Sequence, residues 1–427
     1  PLYYLFMHAV CSAFQNPPFT KWTGIGLNLF FFSLTQFGLL LLSARLLSDV
    51  EKLELTPPAL LPGLLYGLSA GAASGVVFIR MYAMMTMWAV WLALALVELF
   101  IHGQTVWRMR ALAAVLIAGF LTQYYFVILA CMLCGVYFFA RLARREFETA
   151  GRFALWCFFA LALAVGLFPW CLNHIFGGYR GRGAIESAAG VRLNDMIRWF
   201  KILWQTLDAQ QFGGFLLALV LIGAALAFWP LKKAGQGLKR GAAFSLWALL
   251  ACGAYVLVIS VISPYKVDRY IFCVYPLVTV ALFMLFARGG CRFGSRRGSA
   301  CLLACAVLAA CGARVNRDQQ VHYLYPGDSA YVAACEENAA LPCVLLGTND
   351  MTQNTLELAA FERVYMLNAD DAQGVAPALE ALDEKPDGFI LFERYHDEAN
   401  VETVLRETGL ESAELLFEHQ YHVYWVH

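Results

Sequence analysis

The stretch Phe78-Ile-Arg-Met-Tyr-Ala-Met-Met85 lies at the junction of two apolar runs, 60–79 and 82–101. Each run has about 20 residues, the length that a helix needs to cross the hydrocarbon core of a bilayer. An arginine between two such helices is costly. Arg80 therefore either extends to the headgroups at a helix end, or it faces a cavity, a lipid phosphate or a partner.

The composition places this junction in an integral membrane protein. The 427 residues are 60% hydrophobic and 15% charged, and the mean hydropathy is +0.60. A soluble protein is about half apolar and about a quarter charged, so we expect a polytopic membrane protein. The apolar segments predict about ten membrane helices or half-helices, at 24–43, 60–78, 82–101, 111–121, 124–140, 153–172, 212–230, 243–262, 269–287 and 298–313.

Two details of this pattern call for separate predictions. Segment 111–121 is too short to cross a bilayer, so it and its successor are expected to be half-buried helices around the polar break Thr122-Gln-Tyr-Tyr125. Between the spans, apolar residues recur with helical spacing over 193–207, where two lysine or arginine residues neighbour tryptophans. This spacing predicts a helix on the membrane surface, or else a helix packed beneath a loop.

The charge distribution divides the chain. Residues 1–313 carry 25 Lys and Arg and 10 Asp and Glu, whereas residues 314–427 carry 6 and 21. The boundary coincides with the end of the last apolar run, so we expect a transmembrane domain over 1–313 and an acidic soluble domain over 314–427.

The acidic domain is predicted to be a small α/β unit. Short apolar runs alternate with helical patterns, which favours parallel strands. The predicted strands are Val344–Gly347, Arg363–Leu367 and Gly388–Phe392, with helices near 352–361, 374–383 and 397–408 and a terminal strand pair at 413–418 and 421–426. Cys335 and Cys343 are the cysteines of this domain, and the sequence leaves open whether they form a disulfide.

Lysine and arginine in short loops indicate the orientation. Sixteen of them fall in alternate loops, and nine fall on the other side. The sixteen are in loops 44–59, 102–110, 141–152, 231–241 and 288–297. These loops are predicted to be cytoplasmic, which puts the acidic domain outside the membrane, and a bacterial plasma membrane is the expected location.

Several chemistries leave no trace in the sequence. We find no Walker A motif, HExxH motif or nucleophile elbow. Glu98 is the sole acid well inside a predicted span, which disfavours proton-coupled transport. No cofactor is evident, a divalent metal is left open, and nucleic acid is not an expected partner.

Cationic and aromatic residues gather at the predicted outer ends of the helices. Arg80 accompanies Tyr82, Tyr124 precedes Tyr125, and Lys266, Arg269 and Tyr270 lie just before a span. Cations at headgroup depth suit a phosphate, and aromatic residues suit the chain of a lipid. This pattern predicts a site for a lipid-linked phosphate, and its alternative is an ordinary interfacial aromatic belt.

Five short segments, in order over 1–287, carry a family resemblance. Pro1-Leu-Tyr-Tyr-Leu-Phe-Met-His resembles the "HPPLYYLLLH" segment of C-type (GT-C) glycosyltransferases that use polyprenyl-phosphate sugars, and Arg80-Met-Tyr-Ala-Met-Met resembles their "RMYALL" segment. Thr122-Gln-Tyr-Tyr, Phe168-Pro-Trp and Arg269–Pro276 resemble their "THY", "LPWL" and "RYLLPLLP" segments. The family includes the protein O-mannosyltransferase-like and aminoarabinose-transferase-like membrane enzymes.

The resemblance implies an inverting sugar transfer at the outer membrane face. The partners would be a polyprenyl-phosphate-linked sugar, membrane lipids and an extracytoplasmic acceptor, which is a lipid, a glycan or a protein. Arg80, Lys266 and Arg269 would contact the phosphate, and Tyr82 and Tyr270 would orient them. Tyr3 and Tyr4 would line the acceptor groove, and Tyr124 belongs to the same expected binding region.

The chain also departs from the family pattern. Phe78 stands where the family usually has an acid, and Gln123 stands where its "THY" segment has histidine. The family's catalytic aspartate would precede Pro1, so the chain as given is expected to be an N-terminal truncation without transfer activity. The alternative functions are a transporter or flippase of lipid-linked sugars and a non-catalytic membrane scaffold.

Overall fold

The protein forms two compact units, Pro1–Leu324 and Tyr325–His427. Residues 320–323, which follow the last apolar helix, therefore belong to the first unit. The structure is a computed structural model and describes residues 1–13, 17–49, 53–178, 181–183, 190, 192–228, 236–263, 265–292, 296–315, 320–323, 328–347, 358, 360–368, 371–380, 388–393, 397–418 and 421–427.

Helices build the described part of the first unit. In chain order they are α1 (Leu2–Ala13), α2 (Pro17–Leu47), α3 (Leu61–Gly67), α4 (Ala70–Val77), α5 (Tyr82–His102), α6 (Val106–Thr122), α7 (Tyr125–Ala143), α8 (Phe147–Leu167), α9 (Leu193–Gln211), α10 (Leu216–Phe228), α11 (Gln236–Ile262), α12 (Tyr275–Arg292) and α13 (Arg297–Gly312). Short 3₁₀ turns at Asp268–Tyr270 and Phe272–Val274 lead into α12.

Among the described residues, 6 helices are long and apolar enough to cross a membrane, or up to 8 spans if each of two bent pairs counts as one. One bent pair joins the 3₁₀ turn Pro57–Leu60 and α3 to α4 at 66°, and the other joins α9 to α10 at 85°. The fold is thus the predicted polytopic helical one. The structure bends the single span predicted at 60–78 between α3 and α4. It joins α9 and α10, which were predicted separately at 193–207 and 212–230, as one bent pair.

The polar break after α6 does not separate two half-helices. α6 begins at Val106, where the Thr105 side chain accepts a hydrogen bond from the Arg108 amide at 3.3 Å. Arg108 and Arg110 hid this first turn from the hydropathy pattern. α7 has 19 residues and qualifies as a span by itself. The two helices form a hairpin because the break at Gln123 turns the chain at one end of the bundle.

The helix predicted over 193–207 is present as α9. Its buried residues include Leu203 and Leu207, while Leu193 and Ile197 are exposed. The helix therefore covers the core with its second half, and its first half presents apolar side chains outward. This placement is compatible with a helix at a membrane surface.

One end of the bundle carries the lysine- and arginine-rich loops, and we call it the basic face. Its described residues belong to the connections from α2 to α3, α5 to α6, α7 to α8 and α12 to α13, and to the helix ends beside them. Hydrogen bonds at this end hold helix ends and loop residues together, from Gln104 Nε2 to the Thr149 carbonyl (2.9 Å), from Arg297 Nη1 to the Leu47 carbonyl (2.9 Å), and from the Gly237 amide to Asp49 Oδ1 (2.8 Å).

The opposite end, which we call the site face, holds the segment between α4 and α5 and the 3₁₀ turns before α12. Buried Asn28 of α2 supports it, because its Nδ2 donates to the carbonyls of Val76 and Phe78 at 2.9 Å each. Close packing also matters here. A Cβ on Gly71 would lie 2.2 Å from the ring of Tyr275, so only glycine fits beside this buried tyrosine.

The second unit contains one mixed five-stranded sheet of order β2-β1-β3-β5-β4. The strands are β1 (Cys343–Leu346), β2 (Val364–Leu367), β3 (Phe389–Glu393), β4 (Ala413–Glu418) and β5 (His422–Val426). β1 pairs in parallel with β2 and β3, and β5 pairs antiparallel with β3 and β4. These pairings confirm the predicted parallel strands and the terminal strand pair.

Both faces of this sheet are covered, because β1 and β3 are buried along their whole length. The helices of the unit are α14 (Asp328–Glu337), α15 (Val375–Glu380) and α16 (Glu398–Thr408). The helix predicted near 352–361 lies mostly outside the described residues. Cys335 and Cys343 are buried in one apolar cluster and are not joined by a disulfide, and burial raises the pKa of the Cys343 thiol.

Candidate functional site

Arg80 lies on the site face, in the short segment that separates α4 from α5. Ser69 begins α4 by accepting a hydrogen bond from the Ala72 amide at 3.1 Å, and α4 ends at Val77. The chain then turns, with the Arg80 amide donating to the Phe78 carbonyl at 2.7 Å. Because Asn28 also holds that carbonyl, the exposed Arg80 side chain starts from a fixed backbone.

Five aromatic rings from four segments meet beside Arg80, and we call them the aromatic platform. Phe78 stacks on Tyr323 at 4.2 Å between ring centroids and on Tyr82 at 5.7 Å. Tyr270 meets the edges of Tyr82 at 6.0 Å and Tyr125 at 5.1 Å. The platform therefore connects the start of α5, the start of α7, the turn before α12 and the segment after α13.

Arg269 packs its guanidinium over this platform. Its Cζ lies 5.5 Å from the Phe78 ring centroid and 5.4 Å from that of Tyr270, so cation–π attraction holds the charge in place. Among the described residues, Arg269 Nε is buried without a hydrogen-bond acceptor. Within the described ranges, neither Arg269 nor Arg80 has a carboxylate within ion-pair distance.

The neighbouring acid, Asp268, is used inside the fold. Its side chain is 3% exposed. Asp268 Oδ2 accepts from Gln210 Nε2 at 3.0 Å and lies 2.7 Å from His322 Nδ1, while Oδ1 accepts from Tyr323 OH at 2.5 Å and from the Arg269 amide at 2.7 Å. Several donors thus satisfy this buried carboxylate, and it is not available to pair with Arg269.

Lys266 and Tyr124 share the site face but have other neighbours. Lys266 Nζ lies 4.1 Å from the Trp199 ring centroid and donates to the Ser263 carbonyl. Burial lowers the pKa of the Lys266 ammonium below the ordinary lysine value. Tyr124 OH lies 3.0 Å from His174 Nδ1, and it is the next residue, Tyr125, that reaches the aromatic platform.

Tyr3 and Tyr4, the residues predicted to line an acceptor groove, differ in exposure. Tyr3 is 1% exposed and its hydroxyl donates to Asn28 Oδ1 at 3.1 Å. The Tyr3 hydroxyl thus supports the residue that fixes the backbone before Arg80, and it does not face an open groove. Tyr4 is 49% exposed and its hydroxyl lies 3.6 Å from Met81 Sδ, one residue from Arg80.

The structure thus brings together Arg80, Tyr82, Arg269 and Tyr270 of the sequence-predicted residues. It adds Phe78, Tyr125, Asp268 and the pair His322 and Tyr323, which the sequence analysis did not select. Asp268 had a visible signal, since it is an acid between two cations at the entry to a span. His322 and Tyr323 had none, because 54 residues separate His322 from Asp268.

The chemistry of this arrangement favours an anion. Two arginines lie close to a rigid, half-buried aromatic surface with no carboxylate among the described residues to neutralise them. Arginine presents a planar fork of N–H donors that matches phosphate, and partial burial strengthens the attraction. Among the described residues, no group of three or more His, Cys, Asp or Glu side chains is arranged to hold a metal ion.

No protein-family model matches the chain, and no curated protein sequence matches it. Its fold is similar to the crystal structure of ArnT from Cupriavidus metallidurans bound to undecaprenyl phosphate. The two are 12% identical with a TM-score of 0.54, and the match covers 100% of this chain and 87% of ArnT. At this identity the likeness concerns the fold, and the expected GT-C-like fold is confirmed.

Proposed function

We propose that this chain is a membrane glycosyltransferase that takes a sugar from a polyprenyl-phosphate donor at its site face. The observation that carries the proposal is that Arg269 packs on the aromatic platform and that Arg80 lies in the chain between two of its rings, Phe78 and Tyr82. Neither arginine has a carboxylate partner among the described residues. Undecaprenyl phosphate is bound by ArnT. A lipid phosphate of this kind would supply the negative charge that neither arginine finds among the described residues.

In the proposed reaction, the arginines act on the leaving group. Negative charge grows on the phosphate oxygen as its bond to the sugar breaks, and fixed cations in a partly dry site lower the energy of that state. Arg80 and Arg269 are the proposed contacts to the phosphate. Tyr82 and Tyr270 position Arg269, and Lys266 lies beside Trp199, where it would contact the donor farther along.

The remaining assignments follow from the same proposal. Tyr4 and Tyr124 are proposed to contact the donor chain or the acceptor, since both occupy the site face. Tyr3 acts through Asn28. The site face would be extracytoplasmic, as would the second unit, because the basic face carries the excess of lysine and arginine. The acceptor is a hydroxyl-bearing lipid, glycan or protein of the cell envelope.

A direct experiment tests transfer. The purified chain in lipid nanodiscs is given a panel of undecaprenyl-phosphate-linked sugars together with a cell-envelope fraction, and release of free undecaprenyl phosphate is measured. The family resemblance predicts a chain without transfer activity, whereas our proposal expects release of undecaprenyl phosphate from one donor class. We expect Arg269→Ala to reduce this release at least tenfold. Arg152→Ala serves as the control, because Arg152 pairs with Glu148 on the basic face at 2.7 Å.

Two results would oppose the proposal. If the donor moves between the leaflets of a vesicle without release of undecaprenyl phosphate, the chain is a flippase. If neither release nor movement occurs and undecaprenyl phosphate does not bind, the site face is an ordinary interfacial belt and a scaffold role is favoured. The described spans offer little support for proton-coupled transport, because Glu98 is held by Arg45 and His102 on the basic face.

A further inference from the structure

The cluster around Asp268 is more elaborate than a structural anchor requires. A buried carboxylate is bonded by an imidazole on one side and by a phenol on the other, at the edge of the aromatic platform. The imidazole is the exposed member, since the His322 side chain is 39% exposed whereas that of Asp268 is 3% exposed. A carboxylate–imidazole pair with its imidazole facing outward is a group that can accept a proton.

Asp268 itself has no capacity left for a substrate. Gln210, His322, Tyr323 and the Arg269 amide surround its two oxygens at hydrogen-bond distance. What the carboxylate does is to choose the tautomer of its neighbour. An Nδ1–H that donates to Asp268 Oδ2, 2.7 Å away, leaves the free electron pair of a neutral His322 on Nε2, on the far side of the ring.

The segment that carries His322 has a strained backbone at the next residue. Tyr323 has a φ of 68°, in the left-handed region that a bulky side chain rarely adopts. Its hydroxyl bond to Asp268 and its stacking on Phe78 hold it there. The His322 amide also donates to Ser74 Oγ at 2.9 Å. Strain that is maintained by this many contacts is typical of functional sites.

We infer that His322 is the proton acceptor for the hydroxyl that attacks the sugar, with Asp268 as its positioning residue. This inference rests on the proposed glycosyl transfer. The aromatic platform links His322 to the arginines, since the Phe78–Tyr323 ring pair lies between them. A donor whose phosphate lies at Arg269 would therefore extend its sugar along these rings toward the imidazole.

In the proposed step, one bond to the anomeric carbon of the sugar forms while another breaks. The acceptor O–H proton passes to His322 Nε2 while the acceptor oxygen forms a bond to the anomeric carbon. The bond between that carbon and the phosphate oxygen breaks, and its electron pair leaves with the phosphate, which Arg80 and Arg269 stabilise. The imidazolium, paired with the Asp268 carboxylate, then releases its proton to water. No oxidant, metal or further reactant is needed.

The test separates proton transfer from folding and from donor binding. His322→Asn keeps an N–H donor near the place of Nδ1 and removes Nε2, whereas His322→Ala leaves space for a free imidazole. General-base catalysis contributes roughly 100-fold to 10,000-fold, so we expect both variants to lower kcat about 100-fold with an unchanged Kd for undecaprenyl phosphate. We expect added imidazole to restore activity to His322→Ala and not to His322→Asn.

Asp268→Asn should lower kcat at least tenfold, because the amide N–H of the new side chain can donate to His322 Nδ1 and so favour the tautomer with the proton on Nε2. Added imidazole should not rescue this variant. His102→Gln on the basic face is the control and should behave as the parent does. If the donor is turned over and His322→Ala retains the parent kcat, or if imidazole fails to rescue it, the inference is wrong and the proposed function stands. If undecaprenyl phosphate binds and no donor is turned over, both are wrong.

Discussion

The two ends of the membrane unit treat their arginines differently. On the basic face, Arg141 donates to Glu146 at 2.8 Å and Arg45 pairs with Glu98. On the site face, Arg80 and Arg269 have no such partner among the described residues, and the nearby Asp268 is bonded to other donors. An arginine that is neutralised within the fold stabilises helix ends. One that is packed on aromatic rings and left without a carboxylate is available to an external anion.

The basic face also shows how an arginine can complete the end of a helix. Arg108 reaches back to the carbonyls of His102 and Gly103 at 3.0 and 3.3 Å. Such contacts use the guanidinium to complete the end of a helix. Arg80 follows the end of α4 and is exposed. Its backbone is fixed by Asn28, so the segment is organised without the use of its charge.

The largest effect on stability is expected on the basic face. Glu98→Ala would remove the Glu98 carboxylate that pairs with Arg45, whose side chain is 15% exposed. Removal of one partner of a mostly buried pair costs about 2 kcal/mol after allowance for solvent screening. Denaturation of the protein in detergent should show this loss, while binding of undecaprenyl phosphate by the folded fraction should not change.

The matched control is Glu148→Ala, which removes an exposed pair with Arg152 and should cost less than about 0.5 kcal/mol. If Glu98→Ala were as stable as Glu148→Ala, the paired arginines of the basic face would not be structural. The claim that the basic face uses its arginines to stabilise the fold would then be wrong.

A smaller effect is expected when the platform is altered. Phe78→Ala removes the ring that lies between Arg269, Tyr82 and Tyr323. Loss of one cation–π contact amounts to about 1 kcal/mol, or roughly fivefold in Kd for undecaprenyl phosphate. Titration of the protein with undecaprenyl phosphate measures it. Phe139→Ala, an exposed residue of α7, should leave the Kd unchanged, and an equal loss in both variants would argue against the platform.

The smallest effect concerns pH. Burial lowers the pKa of Lys266, so its ammonium loses its proton at a lower pH than an ordinary lysine does. Its attraction for a phosphate is complete below that lowered pKa and is lost as the pH rises through it. We expect the affinity for undecaprenyl phosphate to fall a fewfold toward alkaline pH in the parent and to stay flat in Lys266→Arg, since arginine remains charged. Identical pH profiles for the parent and Lys266→Arg would show that Lys266 does not contact the phosphate.

Sequence reasoning succeeded where one physical signal was strong. Apolar runs revealed the spans, and alternation of short runs revealed the parallel strands of the second unit, because burial on both faces demands continuous apolar residues. The Arg80 and Arg269 segments could be selected because charge at the end of a span is costly. The hydropathy pattern failed to predict the start of α6, because Arg108 and Arg110 lie in its first turn, on the basic face.

The rest of the site depends on contacts between distant segments. That Tyr125 and not Tyr124 joins the aromatic platform follows from where α7 begins, and a difference of one residue turns a side chain by about 100° around a helix. That Asp268 is satisfied by His322 and Tyr323 depends on how the chain folds back after α13. Periodicity carries no information on either point.

The most direct test of this account is the affinity for undecaprenyl phosphate of the parent, Arg80→Ala, Arg269→Ala and the double variant, with Arg152→Ala as the control. A charge-assisted contact is worth about 2 kcal/mol, so each single variant should bind roughly 30-fold more weakly, with unchanged thermal stability. The double variant should lose more than either single variant. Equal affinity for the parent and the double variant would contradict the claim that these arginines hold a lipid phosphate.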